Sequence, residues 1–395
     1  MKNSSRIFLS LIHLSLVAFF VASLAAFFSF GLKFIIHLNV QYTFLIYLLP
    51  LALFVTLLVE KNLPQWNERL ERNWRSELWK DGSTLQGLLL LPLSWMSHFV
   101  GASVGREGVA VQLGRSSARI INAVLPQKIR SEDAGLVARL GVAAGFSAVF
   151  GTPVTASVFA FEWLAILPES SRNLRSFVAC LFCAVVAHQC AVKVFFVQHD
   201  TLSAAAVAWS LRWILFLVVL SLFAAVLARF HVYLLNRFSA QAELFNSSLW
   251  RRALLGGGAL AVLFSFSAFA RYKGLGVNLI NESFMENASS SMPFNGFDWA
   301  LKSLFTSFSL AVGFKGGEVT PLFAMGVTLA HGLAQFFLVP VAAAAAVGFA
   351  LVFSIVLRVP ISGAVLALEL FGFNPGLAGA SVCLFPLLLR YRRHA

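Results

Sequence analysis

The chain has 395 residues, of which 59% are hydrophobic and 12% charged, and it carries a formal net charge of +13. Such a composition lies far from the soluble average and excludes an ordinary soluble domain. The positive balance fits basic segment ends beside anionic lipid. It does not suit nucleic acid, because no aromatic-interleaved basic stripe lies outside the apolar runs.

Taken in chain order, the first apolar run covers residues 7–32. It is longer than a signal-peptide core and shows no convincing cleavage site, so an uncleaved first helix is expected. Residues 34–59, 82–105 and 140–161 contain no Lys, Arg, Asp or Glu. Neither do residues 319–357, which leave room for two passes joined by a tight turn near Pro340. A hydrocarbon core of about 30 Å needs about 20 apolar residues per helix. Only helices or closed barrels satisfy their backbone in lipid, and unbroken apolar runs exclude the alternating barrel pattern. An all-α, polytopic integral membrane protein is predicted.

Between the runs, residues 60–82 read as a connecting loop. The chain stops soon after Glu369, so no soluble regulatory domain is expected. Lys2, Arg6, Arg115, Arg130, Arg172, Arg175, Arg251, Arg252, Arg390, Arg392 and Arg393 sit at segment ends. That distribution predicts cytoplasmic termini at both ends, in a membrane read as the bacterial inner membrane. Cys180 and Cys183 have CxxC spacing but lie in an apolar run without a second pair. They read as small buried hydrophobes, with no metal or cofactor expected.

Two acidic glycine loops stand out. The first is Gly105-Arg106-Glu107-Gly108, and the second is Gly316-Gly317-Glu318-Val319-Thr320-Pro321. Each is followed, after a similar interval, by a matching segment: Pro153 to Glu162 in one case, Pro360 to Glu369 in the other. Proline, small, β-branched and large apolar residues recur there in nearly the same order, ending on glutamate. An internal repeat in an apolar chain is a common transporter plan, with the ligand held between halves by broken or re-entrant helices. Two repeats are expected, residues 1–199 and 200–395, divided near His199.

The loops have a chemistry of their own. Glycine just before a helix bares backbone N–H groups, and the helix dipole adds about half a positive charge there. Deep in a membrane, that arrangement selects an anion without a buried lysine. A carboxylate in the same place is costly, about 3 kcal/mol on insertion scales, and marks ion paths or proton relays. Glu107 can occupy the anion's place, then swing away once protonated, so it reads as gate and proton carrier. The other reading is a structural ion pair with Arg106. Glu162 and Glu369 read as structural carboxylates at helix ends.

These elements resemble the CLC family of anion channels and proton-coupled anion antiporters. Gly105 to Gly108, with Gln112 and Gly114, is similar to its GREGP loop, with Val109 in place of proline. Residues 143–153, Gly276 to Ile280 and residues 313–369 resemble further family elements in the same order. The resemblance implies two inverted-topology repeats, a homodimer with one pathway per subunit, and Glu107 as the gating glutamate. It also implies an anion site built from Gly105, Arg106, Gly108, Gly316, Gly317, Glu318, Val319, Thr320 and a C-terminal tyrosine, for which Tyr391 is the candidate. By its basic neighbours, Tyr391 reads instead as an interfacial anchor.

Residues 313–321 resemble the fluoride/proton antiporter branch, since Val319 stands where most chloride-handling members carry an aromatic. Protonated Glu318 or the Thr320 hydroxyl could donate to fluoride. Trp163 occupies the place of the chloride antiporters' internal proton glutamate, which also fits that branch. The family's earliest glycine loop has no counterpart, because no glycine occurs between Leu32 and Asp81. The expected function is fluoride export coupled to proton entry, with fluoride or chloride, protons and lipid as partners and no enzymatic chemistry. A chloride-selective channel or antiporter, or a transport-inactive member, are the alternatives.

Overall fold

A computed structural model describes residues 2–62, 83–164, 173–199, 202–204, 206–244, 248–285 and 296–391, with backbone alone at 2–7, 83–85 and 385–391. Among them every regular element is a helix, as the composition predicts. Of the loop expected at residues 60–82, the first three residues instead finish the helix Leu49–Asn62, whose apolar run leads into them, and 63–82 lie outside the described residues. The chain divides into two compact units. One comprises Met1–Ile35, Leu63–Trp95 and Glu107–Asp200, the other Ile36–Asn62, Met96–Arg106 and Thr201–Ala395.

In the first unit, α1 (Lys2–Gln41) meets α3 (Ser83–Phe99), while α2 (Leu49–Asn62) belongs to the second. The indole Nε1 of Trp95 donates to the Phe28 carbonyl at 3.1 Å, and a Cβ at Gly31 would strike the same ring. Next come α4 (Glu107–Val124) and α5 (Ala134–Phe150). Their backbones touch through Gly114, Gly141 and Gly145, a small-xxx-small stripe that lets helices approach closely in lipid, where no hydrophobic force drives them together. Asp133 caps α5 by accepting from Leu136 N–H at 2.9 Å. Gly151, at φ +85°, ends it in the left-handed conformation, and Pro153 opens α6 (Pro153–Trp163). Asn173 caps α7 (Leu174–Gln189) in the same manner as Asp133. Cys180 and Cys183 are buried on α7, as the CxxC reading expected.

The second unit uses the same local grammar. Following α8 (Leu211–Glu243), α9 (Gly258–Ser265), α10 (Val277–Phe284) and α11 (Asp298–Val312) come α12 (Val319–Phe337) and α13 (Val341–Leu357). The last two pack through Gly326 and Gly348, with Phe323 stacked on Phe349 at 3.9 Å between ring centroids. Pro340 sits in the turn between them, where the uncharged run leaves room for it. Arg358 ends α13 at φ +57°, and Pro360 opens α14 (Pro360–Phe371), ahead of α15 (Phe373–Tyr391). Arg252 closes α11 by donating to the Ala311 and Val312 carbonyls at 3.1 and 3.0 Å, a cation on the negative end of a helix.

Among the described residues five helical stretches are long and apolar enough to cross a membrane: Phe8–Gln41, Thr43–Asn62, Leu174–Val194, Leu211–Glu243 and Val319–Phe337. Their outward faces are greasy. On α8, Ile214, Leu215, Val218, Leu222, Phe223 and Val226 are all exposed, a surface that only lipid or another apolar surface can cover. The protein is a polytopic helical membrane protein.

Candidate functional site

Two segments of the second unit carry the site. One runs from the end of α3 to Arg106, the other from the end of α11 to Glu318. They meet backbone to backbone: Gly105 N–H donates to Gly317 O at 2.5 Å, and Gly317 N–H donates to Gly105 O at 2.7 Å. Glycine is required by this approach. A Cβ on Gly105 would lie 2.8 Å from Pro321 Cδ and 2.9 Å from Gly317 O, and one on Gly316 would lie 2.5 Å from Val104. The loop glycines are therefore explained first by the pairing of two loops, a constraint that sequence alone did not reveal.

Each loop runs straight into a helix that starts with an acid. Glu107 is the first residue of α4 and is buried. Glu318 occupies the N-cap of α12, with Val319 and Thr320 buried in its first turn. Arg106 and Gly108 flank Glu107, each half-buried. Tyr391 is the last residue of α15, and its side chain lies outside the described residues. Glu162 and Glu369 lie in the last turns of α6 and α14, half-buried.

Glu318 does not cap its own helix. Its carboxylate Oε2 instead lies 3.3 Å from Nε2 of His231, on α8. The other ring nitrogen, Nδ1, lies 3.0 Å from Ser303 Oγ and 3.1 Å from Ser307 Oγ, both on α11. His231, Ser303 and Ser307 are all buried. None of the three was singled out by sequence. Ser303 and Ser307 share one face of α11 by their i, i+4 spacing, yet they look like ordinary small residues of an apolar helix. The one available signal was His231 itself, an ionisable side chain inside a long apolar run.

A second polar cluster anchors the first loop, on the neighbouring face of α11. Lys302 is fully buried, and its ammonium donates to Ser103 Oγ at 2.9 Å, to Tyr272 O at 3.1 Å and to Gly274 O at 2.7 Å. Three N–H groups thus meet three neutral acceptors. Ser103 also bonds Thr306 Oγ1 at 3.0 Å, and its N–H donates to Ser309 Oγ at 3.2 Å. Asp298, one turn before Lys302, is engaged elsewhere, accepting from the Tyr272 hydroxyl at 2.5 Å with Arg271 at 3.6 Å. Among the described residues no carboxylate pairs with this amine, and its partner Ser103 stands two residues along the chain from Gly105. Lys315 holds the second loop, through its backbone N–H to Ser97 Oγ at 3.0 Å and through an ion pair with Glu60.

Chemically, this is an anion-attracting frame. Within the second unit it combines the start of α12, bared peptide N–H groups, the buried Lys302 amine beneath one loop, and a carboxylate–imidazole pair beside the other.

A family model described as voltage gated chloride channel matches residues 61–385, more than half of the chain. The chloride/fluoride channel protein of Pseudomonas syringae pv. tomato is 33% identical over 309 residues, which cover 74% of this chain and 64% of that protein, so the chain spans less than two thirds of the relative's length. The crystal structure of a CLC-type fluoride/proton antiporter superposes with a TM-score of 0.80 at 28% identity, covering 96% of this chain and 95% of that one. A slow cyanobacterial chloride/proton antiporter superposes at 0.68 with 17% identity over 97% of this chain and 98% of that one, a likeness of fold alone. The chain belongs to the voltage gated chloride channel family, the CLC family.

Proposed function

We propose that this protein carries fluoride out of the cell in exchange for protons moving in. The observation that carries the reading is the double hydrogen bond between Gly105 and Gly317, with an acid following each loop, Glu107 on one side and Glu318 on the other. The anion rests against the peptide N–H groups and helix starts of these loops, among Gly105, Arg106, Gly108, Gly316, Gly317, Val319 and Thr320. Glu107 competes for that place, and its protonation frees the anion's path. Tyr391 is the remaining candidate ligand.

Electrostatics links the anion to the proton. A charged carboxylate about 4 Å from a fluoride ion costs about 4 kcal/mol at an effective dielectric of 20, close to a thousandfold in binding. Glu318 tolerates an anion at the second loop only while it shares or holds a proton. A neutral carboxyl then becomes a hydrogen-bond donor, and fluoride is a small, strong acceptor, so proton and anion favour one another. The protein works as a homodimer in the bacterial inner membrane with both termini cytoplasmic, and no covalent step is involved. The relative from Pseudomonas and the fluoride/proton antiporter structure support this choice of ion.

The test is release of fluoride and of chloride from liposomes holding the purified protein. Fluoride is expected to leave faster. Equal rates for the two ions would overturn the assignment. A chloride-handling carrier of the same build is the second reading, since the Pseudomonas relative is named for both ions; faster chloride release would establish it.

A further inference from the structure

Nε2 of His231 faces the Glu318 carboxylate, and Nδ1 faces the hydroxyls of Ser303 and Ser307. Ser307 Oγ donates to the His231 carbonyl at 3.4 Å, an oxygen that only accepts. With that hydrogen on the carbonyl, the same hydroxyl accepts from the ring at 3.1 Å, an arrangement that puts a hydrogen on Nδ1. In a neutral ring that leaves Nε2 as a bare lone pair facing the Glu318 carboxylate at 3.3 Å. Two lone pairs at that distance repel. The contact holds only with one proton in it, either on Nε2 of an imidazolium or on Oε2 of a carboxylic acid. With a hydrogen also on Nδ1, the pair that stores this one proton is electrically neutral.

No other charge competes for that proton. Among the described residues, Glu318 is the titratable side chain bonded to the ring. On α11, Lys302 turns its ammonium to Ser103, Tyr272 O and Gly274 O. On α12, His331 bonds the Ser283 carbonyl and Gln335. Arg229 and Arg237, on α8 itself, make no hydrogen bond to the ring, and α13 and the described side chains of α15 carry no charged residue. The ring is 1% exposed and the glutamate side chain 15%, so the proton's way in and out runs through Glu318.

We propose that His231 is the inner proton-transfer residue of the transport cycle, keeping the proton while the second loop is empty and giving it to Glu318 when an anion arrives. The proposal rests on the fluoride/proton reading above. In the handover the Nε2–H bond breaks and an Oε2–H bond forms. The N–H electron pair stays on Nε2, and the ring is left neutral with its remaining hydrogen on Nδ1. Glu318 is then an uncharged donor facing the anion. When the anion leaves, the proton returns to the ring or departs through the exposed side of Glu318. The ring thus does what Trp163, at the place of the resembling antiporters' internal acid, cannot do.

The decisive variant is His231→Gln, whose amide can donate to Glu318 but cannot release a proton. In liposomes, proton-coupled fluoride flux is expected to fall by about a hundredfold or more, the lower edge of the range for a lost proton-transfer group. Wild-type coupled flux in this variant would overturn the proposal. A second measurement stands apart from transport and from the folding of that variant. Nitrogen NMR of the histidine rings is compared between wild type and Glu318→Gln in purified full-length protein. Loss of the shared proton should move the Nε2 signal of one ring toward the bare lone-pair position. Identical spectra would refute the pairing. If wild-type protein fails to exchange fluoride for protons, the functional reading fails, and the nitrogen spectrum alone then decides whether the pair holds a proton.

Discussion

Lys302 donates from Nζ to the hydroxyl of Ser103 at 2.9 Å, which places its buried amine under the loop that ends at Gly105. Among the described residues no carboxylate pairs with it, so whatever positive charge it carries acts on the loop unopposed by a direct partner. Three extended residues span about 10 Å. A unit charge at that distance and an effective dielectric near 20 contributes about 1.7 kcal/mol, more than tenfold in affinity. Lys302→Met, nearly the same length without the charge, is expected to raise the half-saturating fluoride concentration about tenfold in flux assays. An unchanged concentration dependence would show that the ammonium only braces the loop.

The pairing of Gly105 with Gly317 leaves no room for a side chain. Gly105→Ala would press on Pro321 and on the Gly317 carbonyl, and overpacking of this kind costs about 1–3 kcal/mol. Fluoride and chloride flux should both drop, with their ratio unchanged, because the loops separate before any selective contact changes. Gly258→Ala is the control, since nothing lies within 4 Å of the added carbon. A shift in the ion ratio with Gly105→Ala would mean that the glycine contacts the ion itself.

Much of this arrangement was legible in the sequence, and the limits have physical causes. The uncharged run 319–357 announced two helices with a turn at Pro340, because backbone rules act locally. Likewise, glycine before an acid announced two special loops. That the loops pair with one another was not legible, because contact between residues more than 200 positions apart leaves no periodicity. His231, Ser303 and Ser307 stayed hidden for the same reason. Each is unremarkable on its own helix, and the chemistry exists only where α8, α11 and Glu318 converge. Lys302 was likewise not singled out, yet its side chain is fully buried beneath the loop.

Glu107 opens α4 and is buried, and in the proposed cycle it carries the proton. Glu107→Gln removes the charge and the proton at one stroke. Fluoride movement is expected to lose its link to protons, with proton flux reduced by at least about a hundredfold, the range for a lost acid–base group. Unchanged proton flux in this variant would exclude Glu107 from the proton path.

Val319 is buried in the first turn of α12, beside Glu318. An aromatic ring at this position presents a softer, larger surface to the anion than a valine does. Val319→Phe is therefore expected to shift preference toward larger halides by several-fold, at about 1–3 kcal/mol of overpacking seen as a lower Tm. A lower Tm without any change in the halide ratio would place selectivity elsewhere, at Thr320 or Glu318.

One measurement bears most directly on the claim that a proton and an anion share this frame. Liposomes containing the protein are loaded with fluoride at equal pH inside and out, and fluoride and proton electrodes record the same suspension. Outward fluoride flow should drive protons inward, acidifying the lumen with no pH gradient to begin with, and collapsing the fluoride gradient should stop it. Fluoride release without proton uptake would contradict the account.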